Sequence, residues 1–455
     1  MKAREIINTT VAATKKGNRI WLEGIKLNSL GFTRGSKYSR ILEDGVITLS
    51  TEENGPLKVS GKRRNGGSVP VIDLCGKWLE EVFSEGDLIT AKIEDGKISI
   101  KLHKEGQAQR VLEESLLTSP VLRKGVLCYG IGVSGHAFQK ALDDIGVDSR
   151  LELVAEREAK YLQVASKNNN FLTDGTLMLQ GDLERVDVDD LPNLDILSMS
   201  LPCTGHSPAG KTSNKISSAE EHKDAATAVF GAMKIIYKTN PSVIISENVV
   251  QARNSATYSL IKAELARLGY TVFEAILGIE ESNALENRNR YWFVAISSKI
   301  SRNFDLEDLK QYVGEKPYHS IGDLIEDDGP QKFFSPEKFL KREAENKAKG
   351  RGFKTQFVTR EGTSVNVIPR NYSKRQVSNP HYLEDGKVRL FNSKEHARLK
   401  GIPEKLVEGI SETTAHEGLG QSILYSHAYA IGRRVAELII KLREEYSSEQ
   451  LEVVA

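Results

Sequence analysis

Cys203 lies in Ser198-Met-Ser-Leu-Pro-Cys-Thr-Gly-His-Ser-Pro-Ala-Gly210, between an apolar run that reads as a buried strand and a turn of small residues. A thiol behind Pro202 at the carboxyl end of such a strand, with backbone N–H groups nearby to favour thiolate, has the surroundings of a nucleophile. Most lone cysteines are inert small hydrophobes, so its neighbours decide the matter. Glu247, 44 positions later, ends the next apolar run in Ser246-Glu-Asn-Val249. Glu286-Asn-Arg-Asn-Arg290 precedes a further run, and in an extended strand Arg288 and Arg290 share one face. Thiol, carboxyl and guanidinium groups thus meet at one sheet edge, which supplies a nucleophile, a proton-handling acid and cations for developing negative charge. The plain alternative for Glu247, Arg288 and Arg290 is an ion-pair cluster under a loop.

A second set lies upstream. Val126-Leu-Cys-Tyr-Gly-Ile-Gly-Val-Ser-Gly135 is a strand followed by Gly130, Gly132 and Gly135, and glycines there let backbone approach a nucleoside cofactor or merely make a tight turn. Glu156 ends the next strand 21 residues after Gly135, where a carboxylate accepts from a ribose hydroxyl pair. Asp182, after Gly181, suits an adenine amino group or equally a helix N-cap.

These residues need a sheet to hold them. Apolar runs at 125–129, 151–155, 194–198, 242–246 and 291–296 alternate with helical patterns such as 225–237 and 258–268. That alternation predicts an α/β, doubly wound, mainly parallel sheet whose ligands bind at the carboxyl ends of its strands. A helical face at Ala428, Ile431, Val435, Leu438 and Ile439 predicts a last helix packed on the sheet. After about residue 300 the alternation fades, and residues 331–400 hold 17 Lys/Arg against 7 Asp/Glu with aromatics interleaved, a surface suited to phosphate. At the other end, residues 31–49 repeat as 82–100 with a constant offset of 51, each copy a β-hairpin with a Glu-Asp-Gly turn. Two such halves predict one small β domain over residues 1–105, with 106–123 as linker or bridging helix. Residues 1–110 carry 19 Lys/Arg against 14 Asp/Glu, compatible with nucleic-acid contact, dimerisation or a folding role.

The chain of 455 residues, with 63 Lys+Arg, 62 Asp+Glu and 3 Cys, has room for several domains. Cys75, Cys128 and Cys203 are too few and too scattered for a disulfide framework or a Cys-x-x-Cys metal site. No apolar run reaches the roughly 18 residues of a membrane span. The expectation is a cytoplasmic, nucleoid-associated protein without metal or membrane contact.

The ordered set Pro202-Cys203, Glu247-Asn248-Val249, Arg288-x-Arg290, Glu395-His-Ala-Arg-Leu-Lys-Gly-Ile-Pro403 and Gly420-Gln-Ser-Ile423 resembles the cytosine-5 DNA methyltransferase family over residues 124–445. The resemblance implies a Rossmann-like catalytic domain over 124–300 and 393–445, with a smaller target-recognition region over 301–392. It implies S-adenosyl-L-methionine held by Tyr129, Gly130, Ile131, Gly132, Gly135, Glu156, Asp182, Pro202, Gln421 and Ser422. It also implies double-stranded DNA as partner, its target cytosine flipped into the site. There Cys203 adds to C6, Glu247 contacts N3 and the exocyclic amine, Arg290 holds O2, and Arg288 orients the thiol and carboxylate. Thr204, Gly205, His206 and Ser207 fall in the loop that closes over the base. Arg351, Lys354, Arg360, Arg370, Lys374 and Arg375 fall in the recognition region as candidate DNA contacts. This chain departs from the family pattern at Leu127-Cys128-Tyr129, at Thr204 and Glu286 where Gln is usual, and at Gln421 where Asn is. The second repeat at the N-terminus resembles AbrB/SymE-type swapped-hairpin β-barrels, which implies DNA binding or self-association. Two competing functions are a DNA-binding regulator with a vestigial methyltransferase part, which the intact Cys203, Glu247 and Arg290 disfavour, and methylation of transfer RNA, which the long basic recognition region disfavours.

Overall fold

The computed structural model describes residues 4–454 except 65–66, 207–210, 212–213, 328–331, 351 and 353. It divides into two compact units, Met1–Val111 and Leu112–Ala455.

The first unit is built of β1 (Glu5–Thr10), β2 (Ala12–Thr14), β3 (Gly17–Glu23), β4 (Lys37–Glu43), β5 (Val46–Thr51), β6 (Leu57–Lys58), β7 (Ser60–Arg64), β8 (Gly67–Gly76), β9 (Leu88–Glu94) and β10 (Lys97–Leu102). They form two sheets, ordered β1-β9-β10-β5-β4-β6 and β2-β3-β8-β7. Asp44 and Gly45 both take positive φ, at 48° and 71°, which the right-handed twist of a tight hairpin favours. The repeated hairpins β4-β5 and β9-β10 lie side by side through antiparallel β5 and β10, with Thr48 opposite Ser99. Because the repeat offset is 51, these two are equivalent positions, so a local two-fold axis passes between them. Alternation drives the rest: Ile47, Leu49, Ile98 and Ile100 point inward and join Ile20, Leu22, Ile72 and Leu74 in one core.

The second unit begins within α1 (Lys104–Thr118). There follow β11 (Leu122–Leu127), α2 (Val133–Asp143), β12 (Ser149–Glu156), α3 (Ala159–Asn168), β13 (Leu177–Gln180), β14 (Ile196–Met199), α4 (Lys223–Thr239), β15 (Val243–Val249), α5 (Ala256–Arg267), β16 (Tyr270–Leu277) and β17 (Arg290–Ser297). The sheet runs β13-β12-β11-β14-β15-β17-β16, parallel throughout except that β17 is antiparallel to both neighbours. On β17, Trp292, Val294 and Ile296 face one helical layer while Tyr291, Phe293 and Ala295 face the other, so the strand is apolar from Tyr291 to Ile296. β13 and β16 were not among the expected runs, and partial exposure of both edge strands dilutes their apolar signal.

Beyond the sheet come α6 (Ile321–Leu324), α7 (Glu337–Ala348), β18 (Gln356–Val358), β19 (Pro380–Glu384), β20 (Lys387–Arg389), α8 (Ser393–Leu399), α9 (Glu412–Gln421) and α10 (Tyr425–Val454). β18, β19 and β20 make a separate small sheet. Ile321, Val358, Ile368, Tyr372, Tyr382 and Phe391 give this region its own core. α10 returns against α2 and the sheet through Ala428, Ile431, Val435 and Ile439.

Candidate active site

Strand order reverses between β11 and β14, and connections leaving the two strands on opposite sides open a crevice there. A cleft of about 1110 Å³ occupies it, walled by the segments after β11, β12, β14 and β15, the residues before β17, and the α9 terminus.

On one side, Gly132 caps α2 at φ 85°, and Tyr129 packs beneath it. A Cβ on Gly132 would stand 2.9 Å from the Tyr129 hydroxyl, and one on Gly135 2.7 Å from its ring, so only glycine leaves room for that aromatic floor. The Tyr129 hydroxyl accepts a hydrogen bond from Asn169 Nδ2 at 2.8 Å, a partner the sequence motif does not reveal. Cys128 takes φ 57°, unusual for a residue with a side chain, and burial next to Glu156 pushes its thiol up to about 12, so it is no competing nucleophile. Glu156 accepts from Gly130 N at 2.7 Å and from Glu158 N at 2.9 Å, which fixes the carboxylate at the cleft wall. Carboxylate oxygens have further lone pairs to offer a ligand. Asp182 stands at the N-terminus of a short 3-10 turn without making a side-chain cap, its nearest cation Arg185 3.8 Å away. Gly130, Ile131, Pro202, Gln421 and Ser422 also line the cleft. Two carboxylates, close glycine backbone and an open volume fit a nucleoside cofactor. Tyr161, which sequence reasoning missed, adds an aromatic ring at this wall, and Arg370, expected as a DNA contact, lines the cleft 5.8 Å from that ring.

On the other side, Cys203 follows β14, Glu247 lies in β15 directly across from Trp292 of β17, and Arg290 opens β17. Arg288 precedes the strand rather than lying in it, so the two arginines converge through the loop and not through strand alternation. Arg290 Nε meets Glu247 Oε1 at 2.9 Å. Arg288 Nη1 donates to Glu286 at 3.0 Å and Nη2 to the Gly420 carbonyl at 2.8 Å. Asn248 anchors the β15 end by donating to the Leu201 carbonyl and the Tyr258 hydroxyl. Cys203 opens to the cleft, yet protein encloses it on most sides. That enclosure pushes its thiol up, Arg290 and Arg288 pull it down, and Glu247 opposes them. Burial and Arg288 hold the Arg290 guanidinium down at about 10 while Glu247 supports its charge.

The expected DNA-contacting residues divide. Thr204, Gly205 and His206 form a turn closed by His206 N to the Cys203 carbonyl at 2.9 Å. His206 is buried against Tyr258, ring centroids 5.7 Å apart, so it supports the loop from inside. Lys354 and Lys374 are in the recognition region and both are exposed. Arg375 lies over the Phe334 ring. Arg360 pairs with Asp327 at 2.7 Å and Glu384 at 3.4 Å in a partly exposed cluster. Ser207 and Arg351 lie outside the described residues.

The model of the C-5 cytosine-specific DNA methylase family matches residues 126–437. The chain is 27% identical over 314 residues to the type II methyltransferase M.NlaX of Neisseria lactamica, covering 67% of this chain and 93% of that protein. It is 26% identical over 271 residues to the type II methyltransferase M1.ScrFI of Lactococcus lactis subsp. cremoris, covering 58% and 68%. In fold it is similar to the S. pombe Dnmt2 methyltransferase, with TM-score 0.55 at 19% identity over 70% of this chain and 99% of that one. The cleft at the sheet's switch point and the family match across most of the chain lead to one conclusion: the protein belongs to the C-5 cytosine-specific DNA methylase family.

Proposed function

We propose that this cytosine-5 DNA methyltransferase turns its target cytosine out of the duplex into the cleft and attacks C6 with Cys203. The observation that carries the reading is the grouping of Cys203, Glu247, Arg288 and Arg290 on one wall of a cleft whose opposite wall suits a nucleoside cofactor. Cytosine C5 is a weak nucleophile until the C5–C6 double bond becomes an enamine. Addition of the Cys203 thiolate to C6 pushes electron density toward N3 and C5, and Glu247 stabilises the proton at N3. Arg290 already pairs with Glu247 and holds O2 of the ring, while Arg288 supplies positive charge to the thiolate. S-adenosyl-L-methionine, when bound, supplies the electrophilic methyl group that C5 takes up. Loss of the C5 proton then expels Cys203 and restores aromaticity. Tyr129, Gly130, Gly132 and Gly135 would support the turn beneath the cofactor, with Glu156 to accept from its ribose hydroxyls and Asp182 from its adenine amino group.

The type II designation of the curated relatives supports a place in a restriction-modification system acting on a specific duplex sequence. Radiolabelled methyl transfer to duplex DNA tests the activity, with bisulfite sequencing of the product to give the target. Cys203→Ser should abolish transfer; undiminished turnover in that variant ends the proposed mechanism.

For the first unit a second, additional reading is duplex contact. Lys37 and Lys58 are direct cross-strand neighbours on β4 and β6, and like charges so placed repel unless an anion lies between them. Arg34 lies over Gly61 nearby, and neither it nor either lysine has an ion-pair partner among the described residues. Replacing Arg34, Lys37 and Lys58 by Ser in the full chain should lower DNA affinity and flatten its salt dependence. An unchanged salt slope would remove this reading and leave the catalytic one untouched.

A further inference from the structure

Beneath Arg288 lies a buried ionic cluster that the chemistry above does not use. Glu286 and Lys400 are both fully buried, 114 positions apart, and Lys400 Nζ stands 3.3 Å from each Glu286 oxygen. Glu286 Oε1 also accepts from Arg288 at 3.0 Å, so one carboxylate serves two cations. The same ammonium donates to the Ser422 carbonyl at 3.3 Å, and Arg288 donates to that of Gly420 at 2.8 Å. Backbone bonds fix both partners: Glu286 N donates to the Leu399 carbonyl at 3.0 Å and Tyr425 N to that of Lys400 at 3.1 Å. Arg288 Nε has no hydrogen-bond partner among the described residues.

Burying two charges is costly, and a well-packed apolar pair often stabilises a fold as well or better, so stability alone does not account for this pair. Its position does. It joins the guanidinium beside Cys203 to the 420–422 turn on the cofactor side. We propose that Lys400 is a positioning residue that neutralises Glu286, leaving Arg288 in place and its charge directed at the Cys203 thiolate. Burial and the nearby Arg288 and Arg290 push the Lys400 ammonium well down, and its contacts to Glu286 oppose them. Without the ammonium, Glu286 is left with Arg288 as its strong cation among the described residues. The pair then becomes mutually neutralising and the Ser422 carbonyl loses its donor. His396 Nε2, 4.0 Å from Glu286, does not replace it, because burial and the neighbouring His416 and Lys400 hold that imidazole neutral. The inference rests on the proposed role of Cys203.

The test compares Lys400→Gln, Glu286→Gln and the double variant in the full chain. Read-outs are kcat, KM for DNA, and the rate at which iodoacetamide alkylates Cys203 in the free enzyme, followed by peptide mass spectrometry. Lys400→Gln leaves Glu286 to be neutralised by Arg288 alone and should lower kcat about 10- to 100-fold, with KM for DNA moving less than about threefold, and should slow alkylation. The double variant restores the net charge of the pair and should recover most of both. A purely structural pair would lower the melting temperature and leave the alkylation rate of the folded fraction unchanged. If Lys400→Gln does not fold, the double variant is compared with Glu286→Gln and should exceed it in kcat. Wild-type alkylation and kcat in folded Lys400→Gln overturn the proposal, as does a folded double variant no better than its single parents. Cys203→Ser assayed alongside separates the two ideas: if it remains active, the nucleophile itself is wrong.

Discussion

Glu247 and Arg290 hold one another at 2.9 Å in the free site, so a base entering the cleft must take over an existing pair rather than meet two free charges. The exchange keeps both side chains aimed at the ring before substrate arrives, which is preorganisation in the electrostatic sense. Glu247→Gln retains size and one acceptor but cannot hold the N3 proton as a carboxylate does. It should reduce single-turnover methylation by about 10²–10⁴-fold while DNA affinity, measured by equilibrium binding, changes little. At this scale the sequence is readable where a residue's chemistry is stated by its immediate neighbours, as with Pro202-Cys203 and Glu247-Asn248. It is opaque where a partner is remote. Lys400 sits within a quoted motif, yet nothing local points to Glu286, and Asn169 gives no sign of its bond to Tyr129. His206 and Arg360 read as DNA contacts from position and charge; the packing of His206 on Tyr258 and the pairing of Arg360 with Asp327 are partners that the sequence does not show.

Helix α4 lies behind the cofactor wall and reaches the cleft with Ala228. Its Gly231 lies against the 3-10 turn that follows Asp182, and a Cβ there would fall 2.2 Å from the Leu183 carbonyl carbon and 2.4 Å from Glu184 N. Neither atom can swing aside, because both are backbone. Gly231→Ala should therefore displace that turn, cost about 1–3 kcal/mol of stability, and weaken S-adenosyl-L-methionine binding with little change in DNA binding. Isothermal titration with cofactor checks it; unchanged affinity would show that the turn does not hold the ligand. Long apolar strands in the middle of the sheet were legible because burial on both faces leaves an unbroken run, as on β17. Edge strands β13 and β16 were not, since solvent on part of each strand breaks that run. The expected strand face shared by Arg288 and Arg290 shows the same limit: both line the cleft, but β17 begins only at Arg290.

Of the nine histidines, all but His103 lie in the second unit. Burial holds His136, His381 and His427 down at about 4, against an ordinary 6.5. Each is neutral in the fold and takes a proton more readily when unfolded. Their contribution is therefore complete above pH 6.5 and lost as pH falls toward 4. Calorimetry between pH 7.5 and 4.5 should show a transition of the second unit that moves steeply downward below pH 6.5, and His427→Gln should reduce the slope. A transition independent of pH over that window would contradict the assignment. Among the described residues no helix is long and apolar enough to cross a membrane, and no cluster of three His, Cys, Asp or Glu is placed to hold a metal. The division into a repeated β unit and an α/β unit was legible because periodicity and the 51-residue offset are both local patterns. The local two-fold axis through Thr48 and Ser99 has a consequence for divergence. In an assembly of identical chains, every substitution appears on both sides of such an axis. With both halves in one chain, each side can change alone. Arg34 on one side answers to Glu85 on the other, and Lys37 to Leu88, so one end of a symmetric scaffold has become cationic while its mirror position has not.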